Sequence, residues 1–449
     1  MKRTLLLAAI ILADLGLQAQ GPAISSWLQN TTVTGRHYIS GNSTAINDLD
    51  LVNVQSVQYN TNYVFVSATG IPAYVTGPFL DGNPSSATAQ NSIFKIPLTP
   101  SENTGTSTAV GMGNIGVFIN GTALFNYADG VSYSLSNGED QGGPSGGNPD
   151  GIWNRDAILA EMDGFDCSKG HPAMGNYHHH QNPSAFKLDL TVLSTICNTY
   201  DADGLYAINA AQHSPLIGFA YDGFPIYGAY GYANTDGTGG VTRIKSSYSL
   251  RNISVRTQYA DGSTVTNGPP VNTTYPLGHY QEDYEYISNA GEDYLDEHNG
   301  RFCVTPEYPN GIYCYFATVD ANWNSAYPYV VGPTFYGVYD VSTVNSVPTG
   351  TTTYNTTVSI TENVLNTIEI NIYPNPASNF IVLQFNALVK ENITVELFDI
   401  TGKIIQKSMI YQGSTITNFD TKELANGQYL VKFTNQKESI TKKIVIARD

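Results

Sequence analysis

The sequence predicts a mainly β protein: a large β-rich body followed by a small immunoglobulin-like β-sandwich. Three observations carry this. Charged residues make up only 13% of the 449, whereas glycine (42) and tyrosine (31) are abundant, a composition suited to strands and tight turns. Apolar and polar residues alternate in short runs bounded by turn residues, the period of a half-buried strand. Near residue 341 the composition changes, and a second series of strand-like runs begins beyond it.

The elements follow in chain order. Met1-Lys2-Arg3, an apolar run from Leu5 to Leu17 and the small residue Ala19 make residues 1–19 a secretory signal peptide, cleaved after Ala19. The run is short and broken at Asp14, which argues against a membrane span. Residues 20–340 read as one globular region. Its strand-like runs include Val52–Tyr59, Tyr63–Val66 and Ile115–Ile119. One helix is expected over Trp153–Met162, with Ile158, Leu159 and Met162 as its apolar positions. A glycine-rich loop, Gly138–Gly151, precedes it. Residues 341–367, rich in Ser, Thr, Asn and Val, read as a linker. Residues 368–449 then place Ile368–Ile372, Phe380–Phe385, Val395–Ile400, Gln428–Phe433 and Lys442–Ile446 at the spacing of a small β-sandwich.

Charge narrows the choice of partners. Residues 368–449 carry nine basic and eight acidic side chains, leaving twelve basic against thirty acidic in the remainder, a charge of −18. Such a body disfavours nucleic acid and anionic membranes and is compatible with cations. The four cysteines, in an exported chain, permit disulfides in three connectivities. The turn Thr305–Gly311 favours Cys303–Cys314, leaving Cys167–Cys197 as the other pair.

Five of the eight histidines fall in two segments, Gly170–Pro183 and His213–Gly228. Imidazole is the commonest protein ligand for zinc and copper. Gly175 and Pro183 bracket the run Tyr177-His178-His179-His180, which is simplest as a short strand. His178 and His180 then share one face, with Tyr177 and His179 on the other. A distant third histidine would complete the set, His213 before His171. Histidines packed or hydrogen-bonded without metal are the competing reading. Asp222 lies among apolar residues in Tyr221–Pro225 and could orient a ligand, act as a general base or simply form a turn. Asp296, Glu297, His298 and Arg301 form a polar cluster read first as an ion-pair and turn network, with Glu297 and His298 as weaker catalytic candidates. Asp201-Ala202-Asp203-Gly204 hints at calcium but is too short for an EF-hand loop. P-loop and His-Glu-x-x-His motifs are absent from the sequence, and no Gly-x-Ser-x-Gly nucleophile elbow is found, since Gly143–Gly147 fits that spacing only inside the glycine-rich loop.

The motifs also carry two resemblances. Tyr373-Pro374-Asn375-Pro376, Asp399–Lys403, Asn426–Tyr429 and Lys443–Ile446 resemble the C-terminal sorting domain of the type IX secretion system. That resemblance implies export, the secretion machinery as partner, and removal of the domain at release or surface attachment. Gly170-His171-Pro172, Tyr177–His180, His213–Gly228, Pro276–Gly278, Glu282–Tyr286, Leu295–Phe302 and Thr305–Pro309 resemble the YHYH-domain proteins, with His179 standing where the name motif has its second tyrosine. That resemblance implies no activity. Three readings follow. The first is a secreted or surface protein holding copper or zinc through its histidines. The second is a metal-independent surface protein whose aromatic residues contact a glycan or protein. The third is a metal-dependent hydrolase with Asp222 or Glu297 as base.

Overall fold

The computed structural model describes residues 20–448 except 81–85, 144–145, 266–267, 341, 356–369, 386–388, 390–391, 412–415 and 436–438. The expected signal peptide and about half of the expected linker, residues 341 and 356–367, lie outside the described residues. The chain divides into two units, Met1–Tyr354 and Asn355–Asp449.

The body is built on an eight-stranded sheet. Its strands in chain order are β1 (Asn114–Phe118), β2 (Ala123–Phe125), β3 (His171–Ala173), β4 (Asn176–His179), β5 (Leu216–Ala220), β6 (Pro225–Tyr227), β7 (Gly300–Cys303) and β8 (Ile312–Phe316). In space they run β3-β4-β2-β1-β5-β6-β8-β7. The β4–β2 and β6–β8 pairs are parallel and the other five antiparallel. β5 and β6 are buried at every position, as expected of strands covered on both faces. A five-stranded sheet of Val54–Tyr59, Tyr63–Ala68, Ser92–Pro97, Thr343–Val344 and Thr352–Tyr354 shares its core with the eight-stranded sheet. Val64, Val66, Phe94 and Ile96 pack in one cluster with Val117, Phe118, Leu124, Phe219 and Tyr315.

Three expectations need correction. The helix expected over Trp153–Met162 is one turn, Ala157–Ala160, followed by a 3-10 turn at Met162–Gly164. Asp156 caps it by accepting from the Ile158 amide, so the preceding residues pair as strand Asn154–Asp156 instead. The segment read as linker contributes two edge strands to the five-stranded sheet, Thr343–Val344 on Ser92–Pro97 and Thr352–Tyr354 on Val54–Tyr59. Its Thr and Val residues suit an edge as well as a tether. Cys167 and Cys197 form a disulfide, but Cys303 and Cys314 are buried thiols. The β7–β8 register sets Cys303 opposite Ile312 and Cys314 opposite Arg301. The two cysteines are therefore diagonal neighbours on one face of the hairpin and not a directly opposed pair.

The second unit is a β-sandwich. One sheet holds Ile370–Tyr373, Phe380–Phe385 and Ile416–Asp420, and the other Ile404–Ile410, Ile393–Asp399, Gly427–Thr434 and Ser439–Ile446. Alternation decides the inner face: Ile381, Leu383 and Phe385 from one sheet meet Val395, Leu397, Val431 and Phe433 from the other in a single core.

Candidate metal centre

The site begins with a hairpin. β3 and β4 are joined by Met174 and Gly175, both in the left-handed region at φ 50° and 87°, as a two-residue turn of primed type requires. A Cβ on Gly175 would come 2.2 Å from Thr88 Oγ1, so glycine is needed for space as well. The turn pairs Ala173 with Asn176 and hence sets His171 directly opposite His178. His180, two residues on, falls on the same face as His178. The three histidines are buried, and their ligand atoms lie within 4.8 Å of one another.

The arrangement is tight. His178 Nε2 is 3.0 Å, and His171 Nε2 3.4 Å, from His180 Nε2. Glu161 Oε2 lies 3.3 Å from both His171 Nε2 and His180 Nε2, yet makes no well-aligned hydrogen bond. Glu161 ends the helical turn capped by Asp156; the expected set did not include it.

Outer contacts set the tautomers. His178 Nδ1 donates to the Asn176 carbonyl at 2.8 Å, and His180 Nδ1 to the Asn126 carbonyl at 2.5 Å. A neutral imidazole carries one N–H. With Nδ1 donating, both Nε2 atoms present lone pairs to each other at 3.0 Å. Such a contact is repulsive unless a proton or metal ion lies between the nitrogens. Phe125 stacks on His178 at 3.7 Å, and Phe165 meets His171 edge-on at 4.8 Å, so the rings have dry, fixed walls. Burial, reinforced by the like charges that His180 and His171 can carry, holds His178 well below the ordinary imidazole pKa. Burial acts to raise Glu161, but nearby His171 and His180 outweigh it and hold the carboxyl well below its usual range.

His179 faces the other way, as alternation requires. It hydrogen-bonds Tyr74 Oη at 2.7 Å and the Lys169 carbonyl at 3.0 Å. Tyr177 on that face donates to Asp166, which also accepts from the amides of Gly77, Ser168 and Gly170. The Cys167–Cys197 disulfide ties down the loop that leads into His171.

The remaining candidates lie elsewhere. His213 packs against Tyr227 and Tyr232 and bonds the Ser214 carbonyl; it precedes β5, three strands from β4 in the sheet, so it does not join the cluster. Asp222 is buried, accepting from Tyr315 Oη at 2.6 Å and from the Gly337 amide at 2.8 Å. It buttresses a turn, and burial pushes its carboxyl up to about 6. Asp296 accepts from Tyr313 and from the amides of His298 and Gly300. His298 Nδ1 pairs with Thr334, and the Glu297 carbonyl accepts from Tyr248. This is the turn part of the network anticipated for that segment; the expected ion pairs are not formed among the described residues, and Arg301 donates instead to the Glu292 and Tyr232 carbonyls. Asp201 and Asp203 share Lys187, so a side-chain cation already sits where calcium was considered.

The description "Secretion system C-terminal sorting domain" matches residues 371–447. The chain is therefore an exported protein, secreted or attached at the cell surface, that engages the type IX secretion machinery. No curated protein matches it. The description "YHYH protein" matches residues 93–328, more than half the sequence and the whole histidine cluster; the chain belongs to the YHYH protein family.

Proposed function

We propose that the body binds one transition-metal ion, zinc ahead of copper, through His171, His178, His180 and Glu161, and that it captures this metal outside the cell. The carrying observation is the set of donor separations. A tetrahedral ion with ligands at about 2.0–2.1 Å has edges of about 3.3–3.4 Å. Four of the six edges here are 3.0, 3.4, 3.3 and 3.3 Å. The Nδ1 donations to backbone carbonyls are the outer contacts that metal-bound histidines usually make. Tetrahedral nitrogen and oxygen donors favour zinc over the tetragonal preference of copper(II).

One observation favours a metal-dependent hydrolase as a second reading. The Glu161 side chain is 25% exposed, against 7% and 3% for His171 and His180. Glu161 is thus the ligand on the solvent side. Displaced by a substrate, it would stand beside an open position as a general base.

Elemental analysis of the secreted, tag-free protein tests the proposal. One zinc or copper per chain is expected. The double variant His178→Ala/His180→Ala should lose it, and His179→Ala should keep it. Metal affinity should fall as pH drops and imidazole protonates, with release delayed below about pH 6 because burial holds His178 well under the ordinary imidazole value. Equal metal content in wild type and the double variant would refute the site. Metal-free wild type that takes up neither ion would favour the metal-independent reading.

A further inference from the structure

A second feature of the body is independent of the histidines. The two-stranded ribbon Tyr248–Leu250 and Tyr284–Tyr286 pairs Tyr248 with Tyr286 and Leu250 with Tyr284. Tyr248, Tyr284 and Tyr286 therefore lie on one face. Tyr327 packs beneath, stacked on Tyr284 at 4.0 Å and edge-on to Tyr248 at 5.5 Å. These rings, with Tyr259, line an open cleft of about 510 Å³, within the size range of small-ligand sites. Tyr286 is 36% exposed at its rim. The polar groups of the cleft are Asp261, Gln281 and Glu282, and no basic side chain lines it among the described residues.

We propose that this cleft is a binding site for a neutral saccharide, with the tyrosine faces taking the C–H surfaces of a sugar ring and Gln281 and Asp261 taking its hydroxyls. Three arguments select this ligand class. Tyrosine offers a broad, weakly negative ring face at low entropic cost, suited to the slightly positive C–H face of a sugar ring. Gln281 Nε2 is buried and has no partner among the described residues; it needs an acceptor, which a hydroxyl provides and a quaternary ammonium does not. Asp261 repels anionic ligands such as phosphates or uronic acids, whereas a hydroxyl donates to it; Glu282, buried and accepting from Asn154 through both oxygens, shapes the wall.

Calorimetric titration of the secreted protein with cellotetraose, maltotetraose, mannotetraose and chitotetraose tests this, with choline as a control cation. Binding of at least one tetrasaccharide is expected. The variant Tyr259→Ala/Tyr286→Ala should weaken it about four- to hundredfold, since each ring contributes a factor of about two to ten. Gln281→Ala should weaken it with both tyrosines present, and metal content should be unchanged in both variants. No binding of any tetrasaccharide up to about 10 mM, binding unaffected by the substitutions, or binding of choline alone would overturn the proposal.

Discussion

The histidine run shows what single residues disclose and what they hide. Alternation along one strand separates His178 and His180 from His179, and the structure places them on opposite faces. The third histidine depends on a turn rather than on motif proximity. Met174-Gly175 forms the two-residue connection that sets His171 opposite His178, whereas His213 belongs to another strand. The trace of that turn in the sequence is Gly175, which lies between His171 and His178, but methionine is an uncommon partner for glycine in a primed turn. Glu161 leaves no trace, because nothing local links a helix-end glutamate to a hairpin that starts well after it. At the same scale, Asp222 makes a pH-dependent contribution to stability. Its folded-state carboxyl titrates at about 6 against an ordinary value of 3.8, so the native state holds a proton that the unfolded state has released. This contribution is complete below about pH 4 and is lost as pH rises through about 6. Urea unfolding of metal-free wild type and Asp222→Asn should show wild type losing up to about 3 kcal/mol relative to the variant between about pH 4 and pH 7.5. Parallel curves would contradict the assignment.

At the scale of elements, alternation identifies strands well because half-buried strands must alternate. Val54–Tyr59, Tyr63–Ala68 and Asn114–Phe118 overlap the expected runs within a few residues. The expected helix shrinks to one turn because Asp156 starts it late. Cysteine pairing is only half legible, since the spacing of Cys303 and Cys314 marks a hairpin but not its register. In the hairpin the Cys314 thiol, which donates to the Ile312 carbonyl, also contacts Cys303. That contact, ahead of the opposing effect of burial and with help from Arg301, holds the Cys303 thiol below its usual pKa, while burial pushes Cys314 well up. Mass spectrometry of freshly secreted protein, alkylated after denaturation without reductant, should find the Cys167–Cys197 cross-link and two alkylated cysteines, Cys303 and Cys314. A Cys303–Cys314 cross-link throughout the sample would show that the exported chain oxidises this pair.

At the scale of the molecule, the division into two units is visible as a change in composition, but its position is not. The body continues to Tyr354 because the Thr343–Val344 and Thr352–Tyr354 strands pair with its five-stranded sheet. A chain ended after residue 354 should therefore fold and melt several degrees above one ended after residue 340, which lacks both strands. Without residues 371–447, neither should reach the cell surface, and the longer form should accumulate folded in the periplasm. Surface delivery of the truncated chain would contradict the role of the sorting domain. Equal melting temperatures would contradict the structural role of the two strands. The central claim remains the metal centre, and X-ray absorption at the zinc edge of the loaded protein tests it most directly. The expected spectrum has about four nitrogen or oxygen ligands at about 2.0–2.1 Å, three with imidazole scattering, and one fewer light-atom ligand or a substituted one in Glu161→Gln. A six-coordinate shell of oxygen ligands without imidazole scattering would contradict it.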